Sequence, residues 1–218
     1  MAAPPNDTNR ITVTVNSTEY TVDTIKMPYF ASNPSTNPTL PHFATALLCV
    51  EDGLHSAFDA LKTDITAYPI LCQTLQRLAV DVLGPRSLTQ ITTDCKTFRF
   101  YDDESKIAST NLATDSVFRL LYMHHTGGLR PQDRGKVFEA VSYILSHRYF
   151  FGHLARGVLR ETYRTSMGAS GKQLVAIDKW PVYGKDGVPV EPYADEDDSD
   201  DDYCYGSDSE GESHFRYY

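Results

Sequence analysis

Cysteine is scarce in this 218-residue chain: Cys49, Cys72, Cys95 and Cys204 are far apart, and no CxxC pair occurs. That spacing excludes the dense disulfide framework of a small secreted domain and a paired-cysteine metal site, so the thiols are expected to be reduced. Long hydrophobic runs are missing too, and Met1 to Asp7 has neither a basic stretch nor an apolar one. A membrane-spanning helix and a secretory leader are therefore not expected, and the chain reads as intracellular, cytoplasmic or nuclear. The Asn-x-Thr matches at Asn6 and Asn16 then have no consequence.

Signatures of catalysis are also lacking. Seven histidines occur, but neither HExxH nor GxSxG does. Adjacent His124 and His125 would leave a helix in different directions, and His147 and His153 stand six apart, so neither pair suits chelation and no metal or cofactor is expected. An enzyme would need a deep pocket with polar groups converging around His147 and His153. Gly168 to Gln173 is similar in part to a phosphate loop, yet Ser166 stands where the first glycine belongs and Gln173 replaces the magnesium-holding hydroxyl residue. The segment reads as a loop. Cys49 and Cys72 lie among leucine and valine, where a thiol is a small buried hydrophobe and its thiolate is disfavoured. The chain is read as non-enzymatic.

What is present is a core-forming body. Hydrophobic residues make up 41% of the chain, enough for one main folded unit. From Arg10, Ile11, Val13 and Val15 alternate with threonines, Asn16-Ser17 supplies a turn, and Tyr20 and Val22 continue the period of two, which predicts a β-hairpin. Pro28 limits any helix through Met27, and Tyr29 and Phe30 are placed to close a small core. Val50-Glu51-Asp52-Gly53 is an acidic turn, followed by a helix with Leu54, Phe58 and Leu61 on one side. Asp64 opens a second helix, in which Leu71, Leu75, Leu78 and Val82 form the apolar seam before Gly84-Pro85 stops it.

A second helical region follows. Ile91 to Phe100 is polar and β-branched, residues 101–105 read as a loop, and a helix begins near Thr114 or Asp115 with Val117, Leu120 and Leu121 inward. His124 to Gly128 break it. After Pro131 another helix aligns Val137, Phe138, Val141, Ile144 and Leu145, and a last one from about Tyr149 turns Phe151, Leu154, Val158 and Leu159 to the core. Arg156, Arg160 and Arg164 recur every four residues on its other side, a stripe expected to face solvent. Such a stripe suits phosphates, carboxylates or the chain's own acidic segment, although a charged helix face is ordinarily only solvated.

Charge divides the chain sharply. Ten acids lie between Asp195 and Glu212, and the remaining 19 of 29 are balanced by 19 of the 20 bases, so the net charge of −9 belongs to the C-terminal segment. That segment repels itself, has little to bury and is expected to be a disordered acidic tail. Ser199, Ser207 and Ser209 each precede an acid by three residues, the pattern of acidophilic kinase sites. A plainly solubilising tail is the other reading.

The order of hairpin, aromatic knot, acidic turn and helix pair, with its VTV, MPYF, VEDG and FDALKT phrases, resembles the BTB/POZ domain of the short potassium-channel-tetramerisation type. LCQTLQRLAVDVLG, SVFRLLY, VFEAVSYILSH and KQLVAIDKWP extend the resemblance to BTB-containing proteins of filamentous fungi, up to about residue 182. It implies an α+β fold: a flexible N-terminus (1–9), a BTB/POZ-like domain (10–88) with a small sheet and packed helices, a helical extension (89–182) and the acidic tail (183–218). It also implies a non-catalytic protein-interaction module that forms homo-oligomers, with service as an adaptor to a cullin ubiquitin ligase as one version. The histidine-cysteine zinc site of channel-associated members lacks its vicinal cysteines here, and repeat or finger modules for recruiting clients are absent from the sequence. The alternative is a nuclear regulatory protein contacting nucleic acid through the arginine-bearing helix, which a neutral body and an acidic tail disfavour.

Overall fold

Strand β1 (Arg10–Val15) and strand β2 (Thr18–Asp23) pair antiparallel, with Val15 opposite Thr18 and Ile11 opposite Val22. Asn16 and Ser17 between them both take positive φ, 51° and 65°, the left-handed pair that lets a two-residue turn follow the strand twist. The Asn16 side chain also holds the returning chain: its Nδ2 donates to Leu40 O (2.8 Å) and its Oδ1 accepts from Leu40 N (3.0 Å). Alternation buries Val13, Val15 and Val22, as the period of two predicts. The computed structural model describes residues 9–33, 38–97 and 103–182, with side chains from residue 108 onward in the last of these stretches.

Helix α1 (Pro28–Ser32) starts on proline, whose missing N–H costs nothing at a first helical position. Its Phe30 meets Phe43 edge-on at 5.8 Å, and Tyr20 meets Phe43 at 4.9 Å, forming the aromatic knot. Helix α2 (Phe43–Glu51) runs into the acidic turn, where Gly53 has φ of 115° and a Cβ would stand 2.7 Å from the His55 ring. Only glycine fits there. Helix α3 (Ser56–Leu61) buries Phe58, with Leu54 buried just ahead of it. Helix α4 (Ala67–Arg77) buries Leu71 and Leu75, and begins three residues after Asp64, whose carboxylate accepts from Thr66 Oγ1 at 2.7 Å.

Helix α4 stops earlier than its apolar seam suggests. The expected stop was Gly84-Pro85, but Ala79 turns left-handed at φ 56°, its N–H donates to Gln76 O, and Val80 N–H reaches back to Leu75 O, both at 3.0 Å. This is a Schellman closure with alanine in the place glycine usually holds. Val82 is still buried, but from the segment beyond the helix.

Two further expectations are corrected downstream. Helix α5 (Leu88–Thr97) occupies most of the polar, β-branched stretch, burying Leu88, Ile91 and Cys95, while Thr92 and Thr93 satisfy their hydroxyls on Thr89 O at 2.9 Å. Phe98, Phe100 and Tyr101 lie outside the described residues. Helix α6 (Asp103–His125) begins inside the stretch read as a loop, because a helix already nucleated on its buried stripe of Ala113, Val117, Leu120 and Leu121 extends cheaply through polar residues.

A 3₁₀ turn (Pro131–Asp133) leads into helix α7 (Arg134–Ser146), which buries Val137, Val141, Ile144 and Leu145 and half-buries Phe138. Helix α8 (His153–Ser166) buries Val158 and Leu159, with Phe151 buried just before it. It is not the last helix. Helix α9 (Gly171–Ile177) opens on a capping box, in which Ser170 Oγ accepts from Gln173 N (3.3 Å) and Gln173 Oε1 accepts from Ser170 N (2.9 Å). The segment that partly matched a phosphate loop is a helix start.

The fold is thus α+β, with a two-stranded sheet and nine α-helices among the described residues. Helix α6 packs on α4, α5 and α8, helix α7 on α5, α8 and α9, and α3 meets α8. The buried side chains from Val13 to Val182 form one cluster that crosses residue 88 without a break. Among the described residues, no helix is long and apolar enough to cross a membrane. The N-terminal residues 1–8 and the segment 183–218, with its acids and Ser199, Ser207 and Ser209, lie outside the described residues.

Candidate functional site

The arginines of α8 do not form a solvent-facing stripe. Arg156 is only 6% exposed, and its Nε donates to Phe151 O at 3.0 Å, bracing the chain that enters the helix. Arg160 and Arg164 both donate to Asp178 Oδ1, at 2.8 and 2.7 Å, where α9 ends. The capping box at Ser170 turns the chain back so that α9 delivers this carboxylate to α8. The pairing joins residues 14 and 18 apart, and with α9 expected to be a loop, Asp178 gave no signal in the sequence.

A second polar node sits under the acidic turn. Asp115, buried on α6, accepts from His55 N (2.7 Å), lies 3.0 Å from His55 Nδ1, and is 4.0 Å from the Arg119 guanidinium through its other oxygen. Arg119 Nε donates to Val82 O at 3.2 Å, and burial lowers the pKa of its guanidinium. One carboxylate therefore ties the Gly53 turn, α6 and the segment after α4 together across 60 residues of sequence. The sequence marked Asp115 only as a helix start.

This node forms the base of a cleft of about 350 Å³ whose walls mix apolar side chains, Ile25, Pro28, Val50, Leu54, Val80 and Val82, with the charged Lys26 and Asp81. Lys26 sits on its rim with Nζ 3.4 Å from Val50 O. Ile25 is 68% exposed beside it, although the next apolar residues in the chain, Met27 and Phe30, are fully buried.

A third site lies where α6 ends and α7, α8 and α9 meet, a cleft of about 300 Å³. Arg130 and Arg134 line it together with His124, Ser166 and Gln173, over an apolar floor that includes Leu129, Val137 and Met167. His124 Nε2 is 2.8 Å from Ser166 Oγ, and the Arg134 guanidinium lies across Gly168. Neither Arg130 nor Arg134 has a carboxylate partner among the described residues. Sequence reasoning passed over both, because they flank Pro131 and share no helical face that periodicity would reveal.

The remaining titratable groups are arranged for packing. The rings of His124 and His125 lie side by side at 4.8 Å, and burial, aided by the neighbouring ring, pushes His125 down to about 4. His147 stacks on Tyr143 at 3.7 Å with Nδ1 2.8 Å from Tyr143 O. His153 lines a separate cleft with His55 and Phe58, in which His147 takes no part. Cys49, Cys72 and Cys95 are free and buried, and desolvation pushes each thiol up to about 12. Among the described residues, no group of three or more His, Cys, Asp or Glu side chains is arranged to hold a metal ion. Comparison with protein-family models, curated proteins and solved structures finds no match to this chain.

Proposed function

We propose that this chain is a non-catalytic protein-association module of BTB/POZ type, that it self-associates, and that one version of its role is adaptor to a cullin. The observation that carries the reading is the cleft beside the acidic turn, where Ile25 is exposed next to Pro28, Val50, Leu54, Val80 and Val82. Exposed apolar side chains around a concave apolar wall are the material of interface cores, where a partner excludes water from them. The order of hairpin, aromatic knot, acidic turn and α3–α4 pair supports the BTB/POZ resemblance, and the Asp115 node gives the cleft a rigid base.

A nuclear role through Arg156, Arg160 and Arg164 gains less support. One guanidinium is buried and the other two share the single carboxylate of Asp178, so fewer charges than the three-arginine stripe promised are left to release counterions from a phosphate backbone.

Sedimentation of the full chain, alone and as Ile25→Asp, tests the reading, together with affinity capture by full-length and tail-deleted chain probed for a cullin. Ile25 is exposed, so a charge there spares the core while opposing an apolar interface. Self-association weakened by Ile25→Asp is the expected result. Absence of both self-association and a bound cullin overturns the proposal.

A further inference from the structure

We propose that the cleft between α7, α8 and α9 is the seat of the chain's own acidic segment, Asp195 to Glu212. Several arginines of the body already meet a carboxylate: Arg86 pairs with Asp94, Arg119 lies against Asp115, and Arg160 and Arg164 share Asp178. Arg130 and Arg134 point at the same space and have no such carboxylate. The nearest acid in sequence, Asp133, is already used, its Oδ2 accepting from Arg130 N at 2.9 Å. Two guanidiniums and the Gln173 amide supply donors suited to carboxylates or phosphates, beside a His124–Ser166 pair whose hydroxyl already donates to Thr162 O at 2.9 Å.

The complementary chemistry is in the same chain. Asp200 to Asp202 are followed by Tyr203 and Tyr205, then Asp208, Glu210 and Glu212, so the segment sets two aromatics between acids, and the cleft sets donors over an apolar floor. It is also within reach. Gln173 is on the cleft wall and the described chain ends at Val182; residues 183–194 can then span roughly 40 Å when extended, more than the distance nine residues can have carried the chain away. A short tether raises the local concentration of the segment to about the millimolar range, which favours it over an acidic peptide arriving from solution. Phosphate on Ser207 or Ser209, about −1.5 to −2 charges each, would tighten the contact.

The test uses the full chain carrying a nitroxide at position 213, after Ser213→Cys and Cys204→Ser; Cys49, Cys72 and Cys95 are buried with depressed reactivity and stay unlabelled. Amide resonances of Leu129, Arg130, Arg134 and Met167 to Gln173 are read. The expected result is broadening at about 0.1 M salt that is lost by about 1 M, as the screening length contracts from about 10 to about 3 Å. It is lost in Arg130→Ala/Arg134→Ala, kept in Arg130→Lys/Arg134→Lys, and kept in Arg148→Ala, which removes an exposed charge elsewhere. The proposal is overturned by absence of broadening at low salt, by equal loss in Arg148→Ala, or by loss in the lysine variant. Broadening of an isotope-labelled chain by a separate nitroxide-bearing chain of equal strength would assign the contact to a second copy and overturn it as well.

Discussion

Ala79 holds the left-handed position that closes α4, at φ 56°, and its Cβ crowds the backbone there in a way glycine would not. Ala79→Gly is expected to stabilise the fold by about 0.5–1 kcal/mol, the relief of that strain less the added freedom of glycine in the unfolded chain. A rise in the urea midpoint with an unchanged slope checks it, and a fall would mean that the methyl group packs usefully. The sequence could not show this position. Leu71, Leu75, Leu78 and Val82 keep helical spacing straight through Ala79, and the stop is made by backbone hydrogen bonds that leave no mark on periodicity.

His125 belongs to the same scale. Burial takes it from the ordinary 6.5 to about 4, and its Nε2 is buried without a partner among the described residues. The folded state therefore favours the neutral ring. Above about pH 6.5 both states are neutral and nothing is lost; as pH falls from 6.5 towards 4 the unfolded chain takes up a proton that the folded one refuses, and stability drops. His125→Phe removes that proton uptake. Thermal midpoints measured from pH 7 to pH 4 should fall less steeply in the variant, and parallel curves would show that the shift in His125 is unimportant.

At the scale of elements, legibility followed the length and regularity of the apolar stripe. The hairpin, α7 and the end of α6 were readable because their buried residues alternate or recur over several turns, whereas α1, five residues with Phe30 alone buried, was not read as a helix. Helix α5 was missed because three buried residues, Leu88, Ile91 and Cys95, are diluted by threonines that normally favour strands and turns. Helix α9 was missed although its signature was present: Ser170 and Gln173 have capping-box spacing, but the neighbouring Gly171-Lys172 drew attention to a phosphate-loop comparison. The cap has consequences beyond α9, since that helix presents Asp178 to Arg160 and Arg164. Ser170→Ala should cost about 1 kcal/mol of local stability, raising amide exchange at Leu174 to Asp178 about fivefold. Exchange unchanged from the parent would mean that the Asp178 pairing alone holds the helix.

Over the whole molecule, one core joins the hairpin to the last helices, and the polar nodes sit where chain segments distant in sequence meet. That is why the sites were harder to read than the fold. Asp115 finds His55, Arg160 finds Asp178, and Arg130 meets Ser166 across the same cleft only after the helices have packed. The arginines with four-residue spacing along α8 serve as internal braces, whereas Arg130 and Arg134, also four apart but split between the loop before Pro131 and the start of α7, meet no carboxylate among the described residues. Charge segregation, by contrast, was legible from composition alone, and it is the reason the acidic segment is the occupant proposed for that cleft.

The central claim is self-association through the face at Ile25, and sedimentation of the full chain over a wide concentration range tests it most directly. The account predicts a mass that rises to a multiple of 24.4 kDa and returns towards 24.4 kDa in Ile25→Asp at the same concentration. A parent chain that stays at 24.4 kDa throughout, or an assembly indifferent to Ile25→Asp, would contradict it.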